Sequence, residues 1–236
     1  MFNNKYNQVF PMFGFGHLIL IVVLVLAVLV VYLLKDKFNE KGDKNFRLTL
    51  GITMLTLETT YWIWQIVSGT LVLKTMIPLG LCAMTMWLTS IALITNNKKL
   101  IKITLPWSFI GAILSFIVVD LTFVFPHFRF FHYVINHLLF FVGNLYFLFT
   151  KRIEFTYKDL NRSVITLIIV AGLVLIVNFI LNTNHMFLRE LPDGVKDAFS
   201  FAFFPINTIG LVLIIYLLMN VFYLAFVYKK KYLQTQ

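Results

Sequence analysis

One thiol and one histidine lie at matching depths in two apolar segments of this sequence. Cys82 and His137 each follow the predicted start of their segment by about six residues, or about 9 Å along a helix. Histidine can remove the proton of a thiol, and the thiolate can attack an ester carbonyl to form a thioester. Asp120, about five residues from the end of a third apolar segment, is predicted to orient the imidazole, as the acid does in a catalytic triad.

Other polar residues of the apolar segments are predicted to contact a substrate or to support the site. Tyr133 and Asn144 lie close to the helical face of His137 and are candidates for substrate or oxyanion contacts. Glu58 is predicted near the middle of the membrane, in a polar stripe that must face the bundle interior because polar groups are costly in lipid. The stripe recurs every three or four residues and comprises Met54, Glu58, Tyr61, Trp62 and Gln65.

Each candidate also has a structural interpretation that the sequence leaves open. A lone cysteine in a membrane helix is often a small packing residue, and a lone histidine often forms a hydrogen bond between helices. Glu58 can bridge helices, and Asp120 can cap a helix or reach toward lipid headgroups. One cysteine and scattered histidines have no metal-ligand spacing, and the sequence has no Gly-rich phosphate loop, so we expect neither a metal nor an organic cofactor.

The composition indicates which elements position these residues. The chain has 236 residues, of which 60% are hydrophobic and 13% charged, whereas soluble domains have about 25% charged residues. A water-soluble globule, a disordered chain and a disulfide scaffold are therefore excluded. About 20 apolar residues cross a bilayer as a helix, and seven stretches qualify, so we predict one all-α domain over 1–236, a polytopic bundle of seven transmembrane helices. The predicted spans are about 13–34, 48–69, 76–95, 103–125, 131–150, 163–181 and 201–227.

The basic residues alternate sharply between the connections. Fifteen of the 20 Lys and Arg residues fall in 35–47, 96–102, 151–162 and 228–236, and the other five are spread over the remaining connections. Because basic residues accumulate on the cytoplasmic side of membrane proteins, this pattern predicts an N-terminus outside and a C-terminus inside. The net charge of +10 is then a membrane signature, and no nucleic-acid partner is expected.

Three segments resemble the YwaF family of bacterial integral membrane proteins, a seven-span family. They are IPLGLC at 77–82, FPHFRFFHYVINH at 125–137 and NTNHMFL at 182–188. This family is distantly similar to the eukaryotic transmembrane protein 164 family, acyltransferases that place polyunsaturated acyl chains on ether phospholipids. The resemblance implies that Cys82 and His137 act together through an acyl-thioester. His185, in the third segment, is also predicted to contact the substrate.

These observations predict a lipid acyltransferase or acyl-hydrolase that acts in the outer leaflet of a bacterial cytoplasmic membrane, with a membrane phospholipid as its partner. The alternative is a non-enzymatic protein, either a small transporter or a lipid- or partner-binding protein, in which Glu58 and Asp120 carry protons or cations. The two hypotheses differ in what Cys82→Ser should do, because only the thioester mechanism requires the thiol.

Overall fold

The computed structural model describes residues 2, 10–11, 14–117, 119, 121, 123–150, 152–191 and 204–228. Over these residues the regular structure is helical, which confirms the predicted all-α class. The seven longer helices are α1 (Phe15–Leu34), α2 (Glu40–Val67), α4 (Leu81–Thr95), α5 (Lys98–Ile117), α6 (Phe128–Phe149), α7 (Tyr157–Leu181) and α8 (Ile206–Phe222). The shorter elements are α3 (Leu73–Met76), a 3₁₀ turn (His185–Phe187) and a π-helical turn (Tyr223–Tyr228).

Five of the described helical segments are long and apolar enough to cross a membrane. They are Phe15–Leu34, Lys98–Ile117, Phe128–Phe149, Tyr157–Leu181 and Thr208–Val227. Of the other two predicted spans, α4 is apolar but has only 15 residues, and α2 has 28 residues but begins with a charged turn and carries Glu58. The chain is therefore a multi-pass membrane protein.

Helices α4, α5 and α6 form the centre of the bundle, and α1, α7 and α8 lie at its periphery. More than half of the apolar window of α5 and of α6 is buried, whereas less than a fifth of the corresponding windows of α1, α7 and α8 is buried. Helix α2 packs closely on α4, because a Cβ atom at Gly51 would lie 3.0 Å from the carbonyl oxygen of Ser90 and 2.8 Å from Ile94. The exposed apolar side chains of the peripheral helices are those expected to contact lipid.

Helix α2 begins at Glu40, eight residues before the predicted start of its span. Asn39 caps it by accepting a hydrogen bond from the backbone N–H of Gly42. Asp43, in the first turn, pairs with Arg47 at 3.1 Å and accepts a hydrogen bond from Tyr146 of α6 at 2.6 Å. A charged stretch predicted as a loop is therefore helical, because the cap and the bonds to α6 satisfy its polar groups.

Helices α4 and α5 both line the cavity described below. The start of α4 and the end of α5, which lie beside this cavity, differ from the ends of the predicted spans. Helix α4 begins at Leu81 rather than near 76, so Cys82 lies in its first turn. Helix α5 ends at Ile117 rather than near 125. Its last carbonyl groups need partners outside the helix, and two side chains supply them: His17 bonds the carbonyl oxygen of Phe116 at 2.7 Å, and Tyr133 donates to that of Ser115 at 2.9 Å.

Candidate functional site

A large cavity of about 890 Å³ lies between α2, α4, α5, α6, α7 and α8. Five of the predicted site residues line it: Glu58, Cys82, Tyr133, His137 and His185. Most of the wall is apolar, and α7 and α8 contribute many of the aliphatic side chains. These include Leu167, Ile168, Leu211, Val212 and Ile215. A long apolar space with a few polar groups is typical of a site for an amphipathic molecule.

Cys82 lies on the cavity wall in the first turn of α4. Its sulfur is 3.6 Å from the hydroxyl oxygen of Ser115 and 3.9 Å from the carbonyl oxygen of Gly111, both on α5. A Cβ atom at Gly111 would lie only 3.2 Å from this sulfur, so glycine is what allows the thiol to sit against α5. Because the N-terminal end of a helix dipole favours negative charge, the first turn of α4 is a suitable place for a thiolate.

His137 has a defined tautomer in the structure. Its Nδ1 lies 2.7 Å from the backbone oxygen of Tyr133, and a carbonyl oxygen only accepts, so Nδ1 carries the proton. In the neutral imidazole Nε2 then holds a lone pair, which is the state required of a general base. Only 8% of the His137 surface is exposed.

Tyr133 connects the histidine to the helix that holds the thiol. Its backbone oxygen accepts from His137, and its phenol hydroxyl donates to the backbone oxygen of Ser115. The Ser115 hydroxyl in turn contacts the sulfur of Cys82. Within the described ranges the thiol and the imidazole bond these intermediates rather than each other, so they share one cavity without a direct hydrogen bond.

A second polar cluster lies on the same cavity, where α2 meets the N-terminal half of α6. Nε2 of His132 is 3.2 Å from Oε2 of Glu58, and Nη1 of Arg129 is 2.7 Å from Nδ1 of the same imidazole. The side-chain amide of Asn136 lies 2.9 Å from Nε2 of His132 and 3.4 Å from Oε2 of Glu58. The Tyr61 ring stacks on His132, with 4.4 Å between ring centroids, and lies 4.5 Å from the Arg129 guanidinium.

Arg129, His132 and Asn136 are the members of this cluster that sequence reasoning missed, whereas Glu58 was a predicted site residue. Glu58 was expected deeper in the membrane than the other candidates, whereas it bonds His132 in the first two turns of α6. Arg129, His132 and Asn136 follow one another at intervals of three and four residues, which places them on one helical face. Glu58, Tyr61 and Gln65 on α2 have the same spacing. The sequence could therefore have indicated that the polar faces of these two helices pack against each other.

One predicted site residue is not brought into the cavity, and another lies outside the described residues. Asn144 is fully buried in the core, where its amide donates to Thr89 and Phe140 and accepts from Thr104. It follows Tyr133 by eleven residues, which is about 16 Å along a helix, so a shared face did not mean a shared depth. Asp120 lies outside the described residues, and its predicted role in orienting His137 remains a prediction.

His185 lines the cavity from the 3₁₀ turn that follows α7. Its Nε2 is 3.1 Å from the backbone oxygen of Lys74, so it connects this turn to α3. No three His, Cys, Asp or Glu side chains lie together as a metal-ligand set in the described part of the chain.

The family comparison covers the whole of this site. No curated protein and no solved structure matches the chain. A family model described as the TMEM164 family matches residues 12–223, a range that includes every residue of the cavity wall. This confirms the broader of the two resemblances expected from the cysteine and histidine segments: the chain belongs to the TMEM164 family.

Proposed function

We propose that this protein is a membrane acyltransferase that moves a fatty acyl group from one lipid to another through a thioester on Cys82. One observation carries the proposal: a thiol and an imidazole with a free Nε2 lone pair line the same large, mostly apolar cavity. An ester lipid placed there has room for its chain along α7 and α8 while its carbonyl lies near the thiol.

The proposed reaction has two steps, and both use His137 as the proton carrier. In the first, Nε2 of His137 takes the thiol proton, the sulfur of Cys82 bonds the ester carbonyl carbon, and the carbon–oxygen ester bond breaks. The departing alkoxide takes the proton from His137 and leaves as an alcohol. In the second, His137 removes the proton of an acceptor hydroxyl, whose oxygen bonds the thioester carbonyl carbon, and the released thiolate regains the proton.

Three further residues position these groups in the proposal. Gly111 leaves space for the sulfur, Ser115 contacts it, and Tyr133 ties His137 to the end of α5. The thiol and the imidazole lack a direct hydrogen bond in the described structure, so the substrate or a small rotation of Cys82 must bring them together. Catalytic contacts often tighten only when substrate is bound. If water reaches the thioester before an acceptor does, the same chemistry is hydrolysis.

The membrane topology in this proposal follows from the charge pattern. All seven longer helices cross the bilayer, with the N-terminus outside and the C-terminus inside a bacterial cytoplasmic membrane, as in the YwaF family that the chain resembles. The first turns of α4 and α6 then lie toward the outer leaflet. Cys82 and His137 are thereby near the level of the ester carbonyls of membrane glycerolipids, so a lipid need not leave the membrane to react.

Intact-protein mass spectrometry tests the thioester directly. After incubation with native membrane lipids, wild-type protein should gain a mass of fatty-acyl size that hydroxylamine removes. Cys82→Ser should show no such adduct, and because Cys82 is the only cysteine any remaining labile adduct would contradict the assignment. His137→Ala should lower the rate of adduct formation about 100-fold or more, as expected for loss of a general base. A wild-type rate in this variant would exclude His137 as the base.

The second candidate function, proton- or cation-coupled transport, is favoured by the ion pair of Glu58 and His132 on the cavity wall. It requires Glu58, and in the prediction from sequence also Asp120, to change protonation. Transport measured in proteoliposomes should then be abolished by Glu58→Gln and unaffected by Cys82→Ser, whereas acyl transfer should show the opposite pattern.

A further inference from the structure

The cluster of Glu58, His132 and Arg129 has no part in the two-step reaction above. Arg129 is half-buried on the cavity wall in the first turn of α6. Among the described residues no carboxylate forms a salt bridge with it, since the acid of the cluster, Glu58, pairs with His132 instead. A guanidinium held in a mostly apolar cavity without a direct carboxylate partner is a suitable site for an anion.

The protons of the cluster can be assigned from the chemistry of arginine. A guanidinium only donates hydrogen bonds, so Nδ1 of His132 accepts from Arg129, and Nε2 of His132 must carry the proton that it donates to Glu58. The Asn136 amide then presents its oxygen to Nε2, because the oxygen and nitrogen of an amide are interchangeable in position.

The result is a chain of hydrogen bonds that connects the Glu58 carboxylate, through a neutral His132, to the Arg129 cation. It uses one of the five N–H groups of the guanidinium and fixes its position. The Tyr61 ring lies 4.5 Å from the guanidinium carbon, and the Tyr133 ring lies at 6.0 Å. The aromatic contact leaves the remaining N–H groups at the edges of the guanidinium plane, and these edges are what a phosphate oxygen pair requires.

We propose that Arg129 binds the phosphodiester of a glycerophospholipid whose acyl chains occupy the apolar part of the cavity, and that His132 and Glu58 are the positioning residues for its guanidinium. The inference rests on the proposed function only in placing a lipid in the cavity. Beyond the phospholipid partner expected from the sequence, it assigns the residues that recognise the headgroup, so a phosphodiester glycerolipid is bound in preference to a neutral glyceride with the same chains.

Lipid binding can be measured without chemistry in a Cys82→Ser background. Native mass spectrometry of purified protein, titrated with dioctanoyl phosphatidylglycerol or with dioctanoylglycerol, compares two ligands that differ by the phosphodiester headgroup. Arg129→Ala should weaken phosphatidylglycerol binding about 10- to 100-fold, the range expected for loss of charge-assisted hydrogen bonds, and leave dioctanoylglycerol binding unchanged. Arg129→Lys should fall between, because lysine keeps the charge and loses the planar fork.

Arg162→Ala is the matched control, since Arg162 is exposed in the first half of α7, is absent from the cavity wall, and its removal changes the net charge equally. Equal loss of phosphatidylglycerol binding in Arg162→Ala and Arg129→Ala would overturn the proposal, as would equal binding of the two lipids by the background protein. Inorganic phosphate alone should not compete at millimolar concentration. If it does, the site binds a free anion and the assignment to a lipid is wrong.

The positioning role has its own test. Glu58→Gln keeps an oxygen that accepts from His132, so the preference for phosphatidylglycerol over dioctanoylglycerol should be retained. Glu58→Leu removes that oxygen at similar volume and should reduce the preference about tenfold. Loss of the preference for phosphatidylglycerol in both variants would show that the charge of Glu58 is required. That result would refute the claim that the hydrogen bonds from Glu58 through His132 position the guanidinium. A preserved lipid preference without any thioester on wild-type protein would refute acyl transfer while leaving this inference intact.

Discussion

The contact between Gly111 and Cys82 allows the position of the thiol to be changed without removing it. In Gly111→Ala the new methyl carbon would lie 3.2 Å from the sulfur and 3.7 Å from the Phe140 ring. The first distance is short for a nonbonded contact, so the sulfur must move by a few tenths of an ångström. It has room to do so because Cys82 borders the cavity.

The variant should therefore fold normally. Overpacking costs about 1–3 kcal/mol where neighbours cannot move, but here the sulfur can shift into open space, and alanine is favoured over glycine in a helix by about 1 kcal/mol. We expect a net change in unfolding free energy within about 1 kcal/mol. Thioester formation should nevertheless fall about tenfold or more, since a displacement of about 1 Å can lower a rate about 100-fold.

The measurement compares the rate of the hydroxylamine-labile mass gain with the thermal unfolding temperature of the same preparation. Gly172→Ala is the control, because a Cβ atom at this glycine of α7 has no neighbour within 4 Å. Acylation of Gly111→Ala at the wild-type rate would refute the argument that the α5 contact sets the position of the nucleophile. A large loss of stability in Gly111→Ala but not in Gly172→Ala would refute the argument that the Cys82 sulfur can move into the cavity.

Three further predictions concern residues around the site and the opposite end of the bundle. Tyr133→Phe removes the hydroxyl that donates to Ser115 and should slow thioester formation about three- to tenfold, with about 1 kcal/mol lost in thermal stability. Asn144→Ala, which removes the hydrogen bonds to the buried hydroxyls of Thr104 and Thr89, should cost about 2–4 kcal/mol of stability without changing the acylation rate of the folded fraction. Burial opposes ionisation of Asp43, but the bond from Tyr146 and the pairing with Arg47 outweigh it, so the pKa of Asp43 is lowered from its ordinary value of 3.8. Its carboxylate therefore contributes stability above about pH 4 that is lost as the pH falls through the lower folded pKa, and Asp43→Asn should be less stable at pH 7 and lack this acid-dependent loss in thermal unfolding.

Much of the helical architecture could be predicted, because backbone polar groups left without hydrogen bonds are costly in a membrane, and long apolar helices satisfy them. Each predicted span corresponds to one of the longer helices, although within the described residues five meet the length and hydropathy of a membrane span. The ends were predicted less well. Helix α2 extends to Glu40 because a side-chain cap and ion pairs satisfy a charged turn. Helix α5 ends at Ile117, where His17 and Tyr133 bond the carbonyl groups of Phe116 and Ser115. Those partners are distant in sequence, so no local pattern could specify them.

The sequence indicated which residues line the candidate site better than it indicated how those residues are connected. Depth along each segment brought Cys82 and His137 to one cavity, as expected, because the rise of a helix is fixed. Asn144 shares a helical face with the site but lies away from the cavity wall. Its prediction used helical face without depth. The indirect connection through Tyr133 and Ser115 depends on where α5 ends, and it could not be inferred without the structure.

His132 shows why a helical wheel alone misjudges a wide cavity. It lies five residues from His137, about 140° away around α6, an angle that argues against a hydrogen bond between the two imidazoles. The angle is correct and the two side chains do not bond each other. However, the cavity of about 890 Å³ contacts α6 on both faces, so two histidines that point in different directions reach one space. Because Glu58 and Arg129 occupy both ring nitrogens of His132, this imidazole has no lone pair for catalysis, whereas His137 keeps one at Nε2. In the proposed reaction and the proposed lipid site, the two histidines therefore have different roles: His137 moves protons, and His132 holds the Arg129 guanidinium in place.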